Sequence, residues 1–317
     1  MAPAKYRILA LCSAVTASVV MAIPIKVLSQ TTPEPTATQL NIFQAIILGI
    51  VQGLTEFLPI SSTAHLKVIP VLLGWGDPGV AFTAVIQLGS IAAVLWYFWG
   101  DITQIIMGAF TAIRQKNYKS YDLRLAVGIA LGTLPIVFFG LIIKILVPDF
   151  DKSPVRSLGA IAIASIVMSL LLGLAEKLGK RQRNFEQLNI IDGVLMGLAQ
   201  TLALIPGVSR SGSTLTAGLF MGLERGAAAR FSFLLGIPAI TLAGLVELKD
   251  VIGAGISNDG IVTMVVGVIS AAIFSYLAIA WLLRFLQTQN TWIFVWYRLA
   301  FGIAILSAIA TNLLPNS

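Results

Sequence analysis

Cysteine occurs once, at Cys12, and a single thiol excludes an internal disulfide. It lies in an apolar N-terminal run and reads as a small apolar residue. The preceding Leu9-Ala10-Leu11 lacks the small residue that a lipoprotein cleavage site places just ahead of its cysteine. Charge is scarce too. Charged residues make up 11% of the 317 residues, against about 25% in ordinary soluble domains. Too little charge remains for a water-facing surface. With 57% hydrophobic residues and a mean hydropathy of +0.90, most of the chain takes lipid as its solvent. The net charge of +7 is no nucleic-acid signature, because the basic residues fall in short runs between apolar stretches, where the positive-inside rule puts them. No nucleic-acid partner is expected.

The first 30 residues have the form of a signal peptide or an uncleaved signal anchor: Lys5 and Arg7, then an apolar run from Ile8 to Ile23, with Val27-Leu28-Ser29 as a small-residue cleavage site. Residues 30–39 form a polar, proline-containing linker, which bounds a segment 1–39. A single membrane catalytic domain, 40–317, follows. Its apolar stretches lie at 40–60, 78–99, 124–148, 156–175, 188–205, 231–247, 261–285 and 292–314. A spanning helix needs about 20 apolar residues, and six of these stretches qualify. Those at 40–60 and 188–205 instead run into polar Pro/Gly/Ser-rich segments, 52–65 and 203–215, without a charged exit loop. Irregular backbone at membrane depth survives only where protein or a wet cavity surrounds it, so both read as re-entrant helix-loop-helix elements. The expected fold is an all-α polytopic membrane protein with about six spans.

The basic runs Arg114–Arg124, Lys177–Arg183 and Arg225–Arg230, with Arg284, assign one face as cytoplasmic. The linker, Asp149–Asp151, Glu247–Asp259 and the C-terminus then fall outside. Trp96, Trp99, Trp292 and Trp296 read as interface anchors.

The two re-entrant segments match at a spacing of 148 residues: Asn41-Ile42 with Asn189-Ile190, Gly49 with Gly197, Gln52 with Gln200, Leu54 with Leu202, and Ser61 with Ser209. Phe82-Thr83 resembles Phe231-Ser232 at a spacing of 149. The repeats are therefore 40–187 and 188–317, each a re-entrant element followed by three spans. Three is odd, so the second copy is inverted in the bilayer. Inverted repeats with broken helices place their site at the repeat interface near the midplane.

Ionisable groups inside a membrane are functional candidates by default. Glu56 lies in the first loop and Arg210 in the second, and opposed loops would gather Glu56, Ser62, His65 and Arg210. Arg210 grips phosphate oxygens in a fork, and Ser61, Ser209, Ser211 and Gly212 add hydroxyls and unhindered backbone N–H groups. The second loop leads towards an apolar segment and a helix N-terminus, which favours anions. Glu56 serves as a base, orients His65, or shares a hard divalent cation such as Mg²⁺ or Ca²⁺ with Gln52, four residues earlier on the same face. Serine needs a base to become a nucleophile. Ser62, His65 or water remain open as the attacking group. Pro59 and Pro206 read as loop formers.

The run Gln52-Gly-Leu-Thr-Glu56-Phe-Leu-Pro-Ile-Ser-Ser62-Thr-Ala-His65 resembles the (E/Q)xxxE signature of the bacitracin-resistance type undecaprenyl-diphosphatases. Pro206-Gly-Val-Ser209-Arg210-Ser211-Gly212 resembles their PGxSRSG motif, and the likeness covers 40–317. It implies hydrolysis of undecaprenyl pyrophosphate to undecaprenyl phosphate and inorganic phosphate, with a divalent-cation requirement and tolerance to bacitracin. It also implies a site open to the outer face of the bacterial plasma (inner) membrane. The functional positions carried over are Gln52, Glu56, Ser62, His65, Ser209 and Arg210. Gln52 stands where some members have glutamate, Ala64 where glycine is common, and residues 1–39 have no counterpart. The expected partners are the lipid pyrophosphate, membrane lipid and a second copy of the chain as a homodimer. A polyprenyl-phosphate transporter or flippase is the rival reading. The two-histidine class of membrane lipid phosphatases fails because His65 is the only histidine.

Overall fold

A computed structural model describes residues 40–316, apart from 77, 148–149, 151–152 and 255–257. The expected signal or anchor segment and linker, 1–39, lie outside the described residues. Eleven α-helices follow one another there: α1 (Ile42–Phe57), α2 (Ser62–Leu72), α3 (Gly79–Tyr97), α4 (Trp99–Arg114), α5 (Tyr121–Leu146), α6 (Leu158–Leu178), α7 (Ile190–Gln200), α8 (Arg210–Phe220), α9 (Arg225–Ala254), α10 (Asn258–Thr288) and α11 (Trp292–Ala310). Five of them are long and apolar enough to cross a bilayer, and α3 with α4 makes a sixth candidate bent by 64°. The protein is an all-α, multi-pass membrane protein. Large apolar side chains point outward, as on α5, where Leu131, Leu134, Phe138, Leu141 and Ile145 are exposed. Lipid is the solvent that tolerates such a surface. The helix at Trp99–Arg114 was not anticipated, because its mixed composition hid it between an apolar stretch and a basic run.

The halves pack by exchange. Helix α1 of the first half lies on α10 of the second, and α7 of the second lies on α5 of the first. Across the halves, α3 pairs with α9 and α6 with α11. Small residues permit this closeness. A Cβ on Gly49 would fall 2.5 Å from the Gly267 carbonyl oxygen, and one on Gly197 would overlap the backbone of Gly132. The glycines matched by the repeat thus do the same work in each half.

The hairpin α1–α2 and the hairpin α7–α8 enter from opposite faces. Lys67 on α2 donates to the carbonyl of Arg156, in the loop before α6. The end of α8 meets the other face, where Gln182 and Arg183 donate backbone N–H groups to Gly222. That second face also collects the basic runs. Glu176, buried in the last turn of α6, pairs with Arg225 and Arg181 and accepts from the Thr291 hydroxyl at 2.8 Å. Arg183 pairs with Asp192, whose carboxylate holds the guanidinium above its ordinary range, and Arg230 pairs with Asp101.

Candidate active site

Each hairpin starts the same way. Asn41 caps α1 and Asn189 caps α7, each in a reciprocal capping box with the residue three positions on, Gln44 and Asp192. Each hairpin also breaks at a matched serine. Ser61 has φ 74° and ψ 101°, and Ser209 has φ 73° and ψ 120°. Positive φ in a residue with a Cβ costs on the order of 1–3 kcal/mol and persists only where the surroundings enforce it. The break turns the chain sharply so that α2 and α8 begin at the hairpin tips, with Ser62 and Arg210 as their first residues.

At the tips, Glu56 closes the last turn of α1. Ser62 Oγ donates to Glu56 Oε2 at 2.8 Å. One helical turn before Glu56, Gln52 donates its amide to the same oxygen at 3.2 Å and to Ser90 Oγ at 3.3 Å. Ser90 in turn accepts from Ser275 at 2.8 Å. The other carboxylate oxygen, Oε1, faces Arg210 Nη2 at 3.5 Å, and the two side chains are only 9% and 8% exposed. That distance is at the limit of a hydrogen bond. Arg210 stands 5.8 Å over the Phe57 ring, and its Nε is buried with no partner among the described residues. Its head occupies a slot left by Gly236, where any Cβ would overlap the guanidinium.

The structure thus brings Gln52, Glu56, Ser62 and Arg210 together. His65 is turned elsewhere. Its Nδ1 meets the Ser61 carbonyl at 2.7 Å and its Nε2 meets the Tyr297 hydroxyl at 2.7 Å, while its ring stacks on Phe301 at 4.4 Å. A carbonyl only accepts, so Nδ1 carries the proton and a neutral ring takes the tyrosine proton at Nε2. The serines and glycine of the second loop are engaged in holding it. Ser209 Oγ accepts from Gly212 N at 3.1 Å, and Ser211 Oγ donates to Leu58 O at 2.9 Å across to the first loop. Ser61 is buried and offers its carbonyl to His65.

The donor set bears on a cation. Among the described residues no group of three or more His, Cys, Asp or Glu gathers to hold a metal. At the tips the donor is the Glu56 carboxylate; Gln52 turns its amide nitrogen to it, so the Gln52 oxygen joins the set only with the amide turned over. That pair fits only a hard ion whose shell is completed by substrate phosphate oxygens and water, the usual manner of Mg²⁺.

The bacitracin resistance protein BacA family model matches residues 45–304. The chain belongs to the BacA family. An undecaprenyl-diphosphatase of Trichormus variabilis is 76% identical over 279 residues, covering 88% of this chain and 87% of that protein. The enzyme of the same name from Synechocystis is 67% identical over 270 residues, 85% of this chain and 83% of its own length. That from Gloeobacter violaceus is 56% identical over 278 residues, 88% and 95% respectively.

Three residues of this BacA-family site escaped the reading of motifs. Gly236 and Tyr297 carry no local signal. Arg298 does: it is a charge inside the apolar run 292–314, the kind of residue that membrane energetics marks for function. It is 1% exposed, and its guanidinium donates to the carbonyls of Pro59, Gly207 and Val208.

Proposed function

We propose that this chain hydrolyses undecaprenyl diphosphate to undecaprenyl phosphate and inorganic phosphate, at the hairpin tips, in the plasma (inner) membrane of a bacterium. The observation that carries it is the Ser62–Glu56–Arg210 chain: a hydroxyl on a carboxylate, and that carboxylate on a fixed cation with an unspent donor. Family membership and the shared name of its relatives agree with it. The face that gathers the basic loops is cytoplasmic by the positive-inside rule, which opens the first hairpin to the outer side.

The isoprenoid tail lies among the spans and the pyrophosphate enters between the tips. Its terminal phosphoryl group takes the Arg210 guanidinium and the backbone N–H groups of Arg210 and Ser211 that open α8. It competes with Glu56 for the guanidinium, and the 3.5 Å contact is weak enough to yield. Glu56, released, takes the Ser62 proton as the hydroxyl oxygen attacks phosphorus. The bond to the bridging oxygen breaks and undecaprenyl phosphate leaves. The leaving undecaprenyl phosphate takes up the Glu56 proton. Water then attacks the phosphoserine, its proton passes through the freed Glu56 carboxylate to Ser62 Oγ as the P–O bond breaks, and inorganic phosphate departs with Ser62 restored. Arg210 balances charge that moves on to the phosphoryl oxygens, which is where most catalysis of this reaction arises. Glu56, joined by the Gln52 oxygen once that amide turns over, would hold a divalent cation, Mg²⁺ or Ca²⁺, whose contribution is to neutralise phosphate charge. His65 holds the Ser61 carbonyl and so aims Ser62.

The transporter reading has one observation in its favour, the exchange-packed hairpins entering from opposite faces. A carrier needs the cation but not a hydroxyl set on a carboxylate. Phosphate release from a C55 pyrophosphate by the purified protein, with and without EDTA, separates the two. Glu56→Ala and Arg210→Ala each lower release by about 10³-fold while the protein stays folded. Normal turnover in either ends the assignment.

A further inference from the structure

We propose that Arg298 is the positioning residue that holds the two hairpin tips in register, and the proposal rests on the hydrolytic reading of the site. Arg298 lies on α11, which belongs to neither hairpin. Its Nη1 donates to Pro59 O at 3.0 Å in the first tip, and its Nη2 to Gly207 O at 2.7 Å and Val208 O at 3.0 Å in the second. These carbonyls lie one or two residues before Ser61 and Ser209, the serines with φ of 74° and 73°. The residue therefore holds the backbone that leads into both turns, the peptide just ahead of Ser209 in the second tip and the next one back from Ser61 in the first. The neighbouring Tyr297 extends the same support, through His65 to the Ser61 carbonyl.

The chemistry of the side chain matches the task. A planar fork reaches several carbonyls at once, where a lysine offers a single compact point. Every hydrogen-bond partner of Arg298 among the described residues is a backbone carbonyl, in a buried place where an unpaired cation is costly. Its donors point into the backs of the turns, while Ser62, Glu56 and Arg210 face each other at the front. The tips belong to different halves of the chain and no helix joins them, so their register depends on side chains that cross between them. Ser211 crosses directly to Leu58 O at 2.9 Å. Arg298 ties both from a third element.

The test uses the full chain in detergent with two variants, Arg298→Lys and Gly212→Ala. A Cβ on Gly212 would stand 2.8 Å from Arg298 Nη1 and 3.1 Å from Ser209 Cβ. The second variant therefore displaces the fork without removing it while also pressing on the second tip, and its effect on exchange in the first tip, 58–63, is what reports on the fork. Two readouts are taken: kcat and KM for phosphate release from a C55 pyrophosphate, and amide hydrogen exchange over residues 58–63 and 205–213. Arg298→Lys lowers kcat by about 10²-fold, the scale of a misplacement near 1 Å, with KM within about threefold. Exchange accelerates in both tips and stays unchanged in α5 and α10. Gly212→Ala shifts both readouts the same way by a smaller factor, and it decides the matter if Arg298→Lys fails to fold. The proposal is overturned by unchanged kcat in the lysine variant, by a rise in KM alone, or by exchange that accelerates in one tip only or throughout the chain. If the wild-type protein releases no phosphate, the hydrolytic reading falls, and the exchange data still decide whether Arg298 couples the tips.

Discussion

The two hairpins share a frame and divide the labour. Asn41 and Asn189 cap them alike, and Ser61 and Ser209 break them with nearly the same backbone angles. The side chains then diverge. Glu56 matches Leu204 at the 148 spacing, Ser62 matches Arg210, and His65 matches Ser213. The first tip therefore carries the carboxylate and the hydroxyl, and the second carries the cation. The helices differ to suit. Helix α1 runs unbroken to Phe57 and so sets Gln52 and Glu56 one turn apart on one face, whereas α7 ends at Gln200 and tightens into a 3₁₀ turn over Thr201–Leu204. A duplicated frame supplies geometry, and divergence within it supplies opposite charges that meet. Neither half alone contains a site.

The largest effect that tests this division comes from the cation. Arg210→Lys keeps the charge but replaces a two-pronged grip by a point, and the lysine ammonium does not fill the slot over Gly236. Phosphate release falls by about 10²-fold, comparable to the loss of one transition-state donor. A lysine variant that turns over normally would show that the second tip contributes charge alone, and the fork would have no part in the reaction.

A smaller effect comes from the slot. Gly236→Ala places a methyl group in the volume that the Arg210 guanidinium occupies, so the head group must move while the loop backbone is left untouched. Activity drops by about tenfold, measured as kcat/KM for phosphate release. An unchanged value would mean that the cation works from more than one position and that its distance to Glu56 is not critical.

Gly236 marks the limit of what the primary structure discloses. The all-α polytopic fold and the two broken hairpins were legible, because each depends on local composition; five of the expected spans stand as single long helices, and the stretch at 78–99 is one arm of a pair bent by 64°. The meeting of Glu56 with Arg210 followed from the repeat. The slot, Tyr297 and the link through Ser90 to Ser275 depend on contacts between distant helices and leave no local pattern. Arg298 was legible in principle as a charge within 292–314, but its partners are backbone carbonyls, which any residue can offer. The hydroxyls of Ser209 and Ser211 were expected to meet phosphate. In the structure Ser209 accepts from Gly212 N and Ser211 donates to Leu58 O, bonds that hold a turn at positive φ.

The smallest effect sharpens the comparison most directly, because it contrasts two glutamines that the repeat makes equivalent. Gln52 gives its amide to Glu56 and Ser90. Gln200 is fully buried, and both its amide nitrogen and its amide oxygen lack a partner among the described residues. The reason is the divergence itself: four residues beyond Gln200 stands Leu204, where the first half has Glu56. A buried polar group without a partner costs about 1–3 kcal/mol, and replacing it by an apolar group of similar shape recovers part of that. Gln200→Met therefore raises the unfolding temperature in detergent by about 2–4 °C, with phosphate release unchanged. Gln52→Met takes a donor from Glu56, loosens the carboxylate that Ser62 depends on, and lowers release by about fivefold without any gain in stability. Opposite signs in the two variants would show that the glutamine is used in one half and merely retained in the other. Loss of activity in Gln200→Met would instead assign the second copy a part in the site and overturn the division of labour.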